Sequence, residues 1–245
     1  MRPIRRGTSP QAGDFKNYKA AFPHLLSRLG FFCSYCERYL STGLEVEHLQ
    51  HKDPNDGFPE LVGRWENFLL SCKNCNSTKN TKIVHPSSFL LPDRDNTFFA
   101  FQYKPDGTID VATGLPPNLA ALAENTLRLV GLQKPAHEQM DEQSQRVYID
   151  RVSQRMQAWG QAQMAYEDLI AEPDNMALRR TITSLALKTG FFSVWMSVFA
   201  NHILMQLEFM AAFTGTLESE CFHPSTALPI SPAPNPDGLP EGSKI

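Results

Sequence analysis

Two Cys-x-x-Cys pairs, Cys33/Cys36 and Cys72/Cys75, enclose an acid–histidine pair, Glu47-His48. One asparagine, Asn67, precedes the second pair by a short apolar run, and another, Asn76, follows it directly. Thiolates at this spacing take two corners of a tetrahedron from one turn, and two such turns complete a four-sulfur zinc site. Such a site has no open position, so its zinc is structural, contributing on the order of 10 kcal/mol to folding. The interval from Cys36 to Cys72 is longer than in a plain zinc ribbon, and what is inserted is Glu47-His48 with its loop. Histidine has the unperturbed pKa of a base for water. A hard cation on oxygen ligands would offset the charge developing on a leaving oxygen. Together these groups suit phosphodiester hydrolysis. Glu45 competes with Glu47 as a cation ligand, because a strand's period of two aims both carboxylates the same way. His51 reads as a loop residue. Lys73 and Lys79, flanking the second pair, are candidate phosphate contacts.

The bulk numbers narrow the class. The chain has 245 residues, an apolar fraction of 42% and a formal net charge of −3. It is long enough for a packed core and not broadly basic, so any nucleic-acid contact must come from a local patch. One such patch opens the chain: the first 40 residues carry seven basic side chains, Arg5 and Arg6 among them, against two acidic ones. Residues 1–14 read as an extended basic arm whose arginines touch phosphate. No apolar stretch of signal-peptide type follows the N-terminal arginines, which implies a cytoplasmic protein. In a reducing compartment, paired Cys-x-x-Cys motifs favour metal over disulfides. Cys221 is then a bystander thiol.

Around the cysteine stretch the elements fall as follows. Residues 15–29 show helical spacing, broken or restarted at Pro23 and closed by Gly30. Residues 44–49 read as a short strand presenting His48 at its end, and 50–63 as a polar loop. Residues 65–71 form an apolar segment leading into the second pair, and a helix opens near Asn76. A hairpin is expected across 97–114, around Lys104-Pro105-Asp106-Gly107. From 115 to 222 the pattern is helical, with a long amphipathic stretch at 137–171 interrupted at Gly160 and another at 174–189 capped by Gly190. Phe191 to Phe213 is nearly all apolar, but Asn201, His202, Gln206 and Glu208 argue for one buried soluble helix rather than a membrane span. Residues 223–245, rich in proline, are expected to be disordered. The fold class is α+β: a basic arm and leading helix (1–30), a zinc-stapled catalytic domain (31–96), the hairpin, a helical domain (115–222) and the tail.

The order Cys-x-x-Cys, acid–His, Asn, Cys-x-x-Cys-Asn-x-x-Lys resembles the zinc-containing branch of the HNH endonuclease family. That resemblance implies a ββα-metal core. By position, it makes His48 the general base, Glu47 and Asn76 the protein ligands of a catalytic Mg2+ or Mn2+, and Asn67 the brace of the histidine loop. The four cysteines become the ligands of a structural Zn2+. Glutamate stands where aspartate is frequent, and Asn76 where a histidine is frequent; both still offer oxygen to a cation. A looser resemblance, carried by the arginine opening, the hairpin and the helical second half, is to the HNH subunit of Septu-type antiphage systems, which also occurs with some retrons. It implies cleavage of nucleic acid, DNA in particular, in bacterial defence. It also implies an ABC/SMC-like ATPase partner. The aromatic and aliphatic bulk that Phe191, Phe192, Val194, Trp195, Val198 and Phe199 put on several faces of one helix is expected to dock the helical domain onto that partner. The rival readings are a stand-alone restriction-type nuclease and a catalytically inert zinc module that binds nucleic acid or protein.

Overall fold

The computed structural model describes residues 1–133 and 142–245, with the side chains of 142–150 excepted. Its first half is built around two short antiparallel strands and a helix. Strand β1 (Leu44–His48) pairs with β2 (Phe68–Cys72) in the register Leu44↔Cys72 and His48↔Phe68. The run Phe68-Leu69-Leu70 is wholly buried, whereas β1 buries Leu44, Glu47 and His48 and exposes Glu45. A strand so short cannot bury carboxylate and imidazole unless other groups satisfy them; those groups are described below. Cys72 ends β2 and caps helix α2 (Lys73–Lys79), its Sγ accepting from the Cys75 N–H at 3.4 Å. Ahead of the strands, a 3-10 turn (Tyr18–Ala21), capped by Asn17, runs into α1 (Phe22–Leu29), with Pro23 in its first turn. Pro23 therefore marks the restart of the helix, where its missing N–H costs nothing.

After a single turn α3 (Thr97–Ala100), the hairpin forms from β3 (Phe101–Tyr103) and β4 (Ile109–Val111). Five helices then fill the second half among the described residues: α4 (Pro117–Leu129), α5 (Glu142–Ala171), α6 (Met176–Thr189), α7 (Phe192–Val198) and α8 (Ile203–Ala212). Helix α5 continues through Gly160, contrary to the interruption expected there; residues 137–141 of that stretch lie outside the described residues. No helix among the described residues is long and apolar enough to cross a membrane.

Phe191 to Phe213 is not one helix. The chain turns at Phe199–His202, and His202 caps α8 by accepting from the Met205 N–H at 3.2 Å. Of the four polar residues that weaken the stretch as a membrane span, Asn201 and His202 form the corner and the cap, and Gln206 and Glu208 lie within α8. Phe191, Phe192, Val194, Trp195 and Phe199 are buried within the chain and Val198 is half-buried; Phe192 meets Phe213, and Trp195 and Phe199 meet Phe209, edge to face. They are therefore core rather than the docking surface the sequence suggested.

Both termini also depart from expectation. The arm at residues 1–6 threads through the fold. The guanidinium of Arg2 donates to the carbonyls of Leu29 and Thr214 and to the Thr216 hydroxyl. Arg6, 1% exposed, donates to the carbonyls of Phe68 and Glu66 and pairs with Asp93 at 3.0 Å. The tail is ordered too. The Ile245 carbonyl accepts from the Asn96 and Ala233 N–H groups, Lys244 pairs with Asp95, and the Asn96 amide bonds the carbonyls of Cys221 and Ile230. Proline-rich backbone can stay irregular and still fold when other segments satisfy its carbonyls.

The two halves meet at Glu37, immediately after the first cysteine pair. Its buried carboxylate accepts from the Tyr103 hydroxyl, the Ser193 hydroxyl and the Ser193 N–H, each at 2.7 Å, and pairs with the Met1 ammonium at 3.3 Å. Burial alone would raise its pKa, but the ammonium and the Ser193 bonds hold it below the usual carboxylate range. Gly190, at positive φ after α6, bridges to Arg38, and a Cβ there would sit 2.5 Å from the Tyr39 nitrogen. The close approach of the two backbones requires glycine.

Candidate active site

The four cysteine sulfurs lie within 4.8 Å of one another, all buried, with Cys36 Sγ and Cys72 Sγ 3.8 Å apart. None forms a disulfide. Zinc–sulfur bonds of about 2.3 Å in a tetrahedron place the sulfurs about 3.8 Å apart, so the cluster fits structural zinc. The first turn is closed by the Glu37 N–H donating to the Cys33 carbonyl at 2.9 Å, the second by the Cys72 cap on α2. Helix α5 adds a cation that sequence spacing did not reveal. Arg151 is buried, donates to the Val130 and Gly131 carbonyls, and leaves Nε and Nη2 without a hydrogen-bond partner. Burial would lower its pKa, but the charge on the four sulfurs raises it.

Beside the cluster, the ββα unit opens a cavity of about 1150 Å3 lined by Glu45, Glu47, His48, His51, Lys73, Asn76 and Lys79. Tyr18, Lys19 and Phe22 complete it from outside the unit. His48 is 7% exposed and is wedged between the rings of Tyr18 and Phe68. The Val62 carbonyl accepts from its Nε2 at 3.0 Å. A carbonyl only accepts, so Nε2 carries the proton and Nδ1 keeps its lone pair. Burial pushes the imidazole down to about 4 against the Val62 bond, with Lys52 and Lys79 acting in the same direction as burial. The ring is thus neutral, in its base form, throughout the physiological range.

Asn67 is tied at three points. Its Oδ1 accepts from the Gln50 N–H at 2.8 Å, and its Nδ2 donates to the carbonyls of Gln50 and Leu61. Gln50 follows the exit of β1, and Leu61 adjoins the Val62 carbonyl that holds His48. One amide therefore fixes both sides of the histidine's setting.

The carboxylates are arranged differently from the sequence reading. Asn76 Nδ2 donates to Glu45 Oε2 at 2.8 Å, so Asn76 partners Glu45 rather than Glu47. Glu47 Oε1 instead takes the Lys79 ammonium at 2.9 Å and the Tyr35 hydroxyl at 3.5 Å. Burial raises the Glu47 pKa and Lys79 opposes that rise. Among the described residues these contacts leave Glu47 Oε2 and the Asn76 side-chain oxygen Oδ1 unused, and Glu45 is exposed at the rim. An oxygen set of this kind suits a hard divalent cation, with both Glu45 and Glu47 in reach of the cavity.

Of the candidate phosphate contacts, Lys73 is exposed at the cavity. Lys79 is 1% exposed and committed to Glu47, and Arg6 is buried away from the cavity. Arg5 is paired with Asp237 at 2.7 Å and with Glu220 at 3.8 Å. Arg5, Arg6 and Lys79 thus serve the fold and the carboxylate rather than a solvent-facing phosphate patch. His51, read from sequence as a loop residue, lines the cavity and is 6% exposed, with neither ring nitrogen hydrogen-bonded. Tyr18 and Lys52 were also missed, because they belong to the cavity only through the packing of α1 and the loop onto β1.

The family model for HNH endonuclease matches residues 33–82, the span from the first cysteine to just beyond α2. A Septu protein, PtuB, of Bacillus thuringiensis is 43% identical over 63 residues, 26% of this chain and 24% of that protein. A retron Vc95 protein of Vibrio cholerae serotype O1 biovar El Tor, whose name describes an HNH endonuclease, is 27% identical over 143 residues, 55% of this chain and 67% of that protein. The chain spans about a quarter of the length of the first and two thirds of the second. With the strand–strand–helix unit, the four-cysteine cluster and the histidine at the strand end all inside the matched span, residues 33–82 are an HNH domain, set against a mainly helical second half.

Proposed function

We propose that the chain is a metal-dependent endonuclease that cleaves nucleic acid, DNA in particular, as the nuclease component of a bacterial antiphage defence system. The observation that carries the reading is His48: neutral, fixed by the Val62 carbonyl through Nε2, and lining one cavity with the carboxylates of Glu45 and Glu47. In this reading His48 takes the proton from the attacking water, and Asn67 keeps the ring's support in place. Glu47, Asn76 and Glu45 would hold a Mg2+ or Mn2+ ion, which supplies Lewis-acid stabilisation to the leaving oxygen. Lys79 keeps the Glu47 carboxylate ionised and oriented. The four cysteines would hold Zn2+ as a structural ion.

The defence setting is supported by the Septu and retron names of the relatives. In this reading the protein works in the bacterial cytoplasm, beside an ABC/SMC-like ATPase that brings the substrate. The net charge of −3 fits a nuclease that relies on a partner for DNA capture. With the aromatic segment buried inside the chain, such a partner would have to use the outer faces of the helical half.

The test is cleavage of plasmid and short duplex DNA by purified protein with added Mg2+ or Mn2+, before and after mild chelation. Cleavage that stops on chelation, returns with the added ion and is lost in His48→Ala, at constant zinc content, supports the reading. Chelator-insensitive cleavage, or a folded His48→Ala protein that cuts normally, overturns it.

A further inference from the structure

One wall of the cavity comes from elements outside the HNH unit, and it carries an aromatic ring and an ammonium held together. Tyr18, in the 3-10 turn ahead of α1, packs edge-on against His48 with ring centroids 4.7 Å apart. Lys52, in the loop leaving β1, places its Nζ 3.5 Å from the Tyr18 ring centroid. Both residues line the cavity that holds Glu47, His48 and Asn76. The three groups thus form a chain from ammonium to phenol ring to imidazole.

Lys52 shares the cavity with Lys19 and the exposed Lys73, but it is the one whose ammonium lies on a ring packed against His48. It differs from Lys79, Arg6 and Arg5 in what it has left to offer. Lys79 is spent on Glu47, Arg6 on Asp93, and Arg5 on Asp237. Among the described residues no carboxylate pairs with Lys52, and its recorded contact is the face of a ring. A cation–π contact at a partly exposed site is worth about 0.5–1 kcal/mol. That suffices to choose one position for a flexible side chain. It leaves N–H donors directed away from the ring, and it is far weaker than the pull of an anion. A charge-assisted bond to a phosphate oxygen therefore replaces water around the ammonium without breaking an ion pair.

We propose that Tyr18 and Lys52 form a phosphate-binding subsite beside His48, in which the ring holds the ammonium ready and the ammonium takes a non-bridging oxygen of the nucleic-acid strand. The identity of the anion rests on the nuclease reading. The subsite explains why the turn ahead of α1 closes one side of the cavity, and it replaces the N-terminal arginines as the local positive contact.

The experiment measures binding apart from cleavage. The full chain carrying His48→Ala is titrated by fluorescence anisotropy against a labelled DNA duplex over a range of NaCl concentrations. Lys52→Gln in that background is expected to weaken binding about five- to tenfold at low salt. It should also reduce the magnitude of the slope of log K against log salt by about one, the signature of one lost phosphate contact. Lys52→Arg should restore the slope, and Tyr18→Leu should cost about two- to fivefold, the worth of the ring contact. Zinc content and the thermal midpoint should be the same in all four proteins. An unchanged slope in Lys52→Gln, or a parent that does not bind DNA, overturns the subsite. The two ideas fail separately. Loss of slope in a protein whose His48 form never cleaves keeps the subsite and removes the nuclease reading. Normal cleavage with an unchanged slope does the reverse.

Discussion

The HNH unit and the α7–α8 corner are equally buried but for opposite reasons. Inside the first lie Glu47, His48, His51, Asn67 and Lys79, together with four thiols. Inside the second lie Phe192, Trp195, Phe199, Phe209 and Phe213, packed ring against ring. Two five-residue strands and a seven-residue helix cannot by themselves supply the apolar area to hold so many polar groups. Neighbouring segments such as α1, Trp65 and Leu90-Leu91 add apolar cover, and the metal cluster and the paired polar contacts complete it. The corner has area to spare and no chemistry. The contrast teaches that buried polar groups gather in one half and ring packing in the corner of the other, with the HNH strands set in an apolar cluster of their own and the two halves joined at Glu37.

The comparison is broken most severely at the cluster. Cys72→Ser removes one sulfur ligand while leaving a hydroxyl able to cap α2, and should abolish stoichiometric zinc binding. The metal-coupled stability lost is on the order of 10 kcal/mol. Near-UV signals from Trp195 should persist while proteolysis cuts within residues 33–82. Equal collapse of both halves would show that they do not fold as separate reserves. Trp195→Ala makes the opposite cut. A fully buried indole lost from the corner costs about 3–5 kcal/mol, read as a lower denaturant midpoint with zinc content unchanged.

His48→Ala should change stability little and lower the cleavage rate by about 10²–10⁴. Asn67→Ala sharpens that result. It leaves the Gln50 N–H without its partner, costing about 1–3 kcal/mol, and should lower the rate through a misplaced His48 with zinc still bound. The smallest effect is in pH. His48 is depressed from about 6.5 in the unfolded chain to about 4 in the fold, so the unfolded chain binds more protons between those values. Its contribution to stability is therefore fully present above the higher value and lost as pH falls through the lower. The base form should persist down to the same lower limit, with no inflection near neutrality assignable to His48. A cleavage profile that inflects at the ordinary histidine value and loses that inflection in His48→Ala would contradict the assignment.

Much of this molecule was legible from residue order because the groups concerned act over a few residues. Cys-x-x-Cys turns, the acid–histidine step at a strand end, Pro23 in the first turn of α1 and Gly190 after α6 are local geometries, and local spacing determines them. The hairpin, α4 and α6 follow from periodicity in the same way. What the tertiary structure decided are the partnerships. Glu47 is joined by Lys79 and Asn76 by Glu45, because α2 lies across β1. Arg6 meets Asp93 far along the chain, the tail is satisfied by Asn96, and Tyr18 with Lys52 is brought to His48. A basic arm and a proline-rich tail look unstructured in composition because composition records no partners. Here buried carboxylates and free backbone carbonyls elsewhere in the chain needed them, and desolvation leaves such groups no cheaper alternative than to be paired.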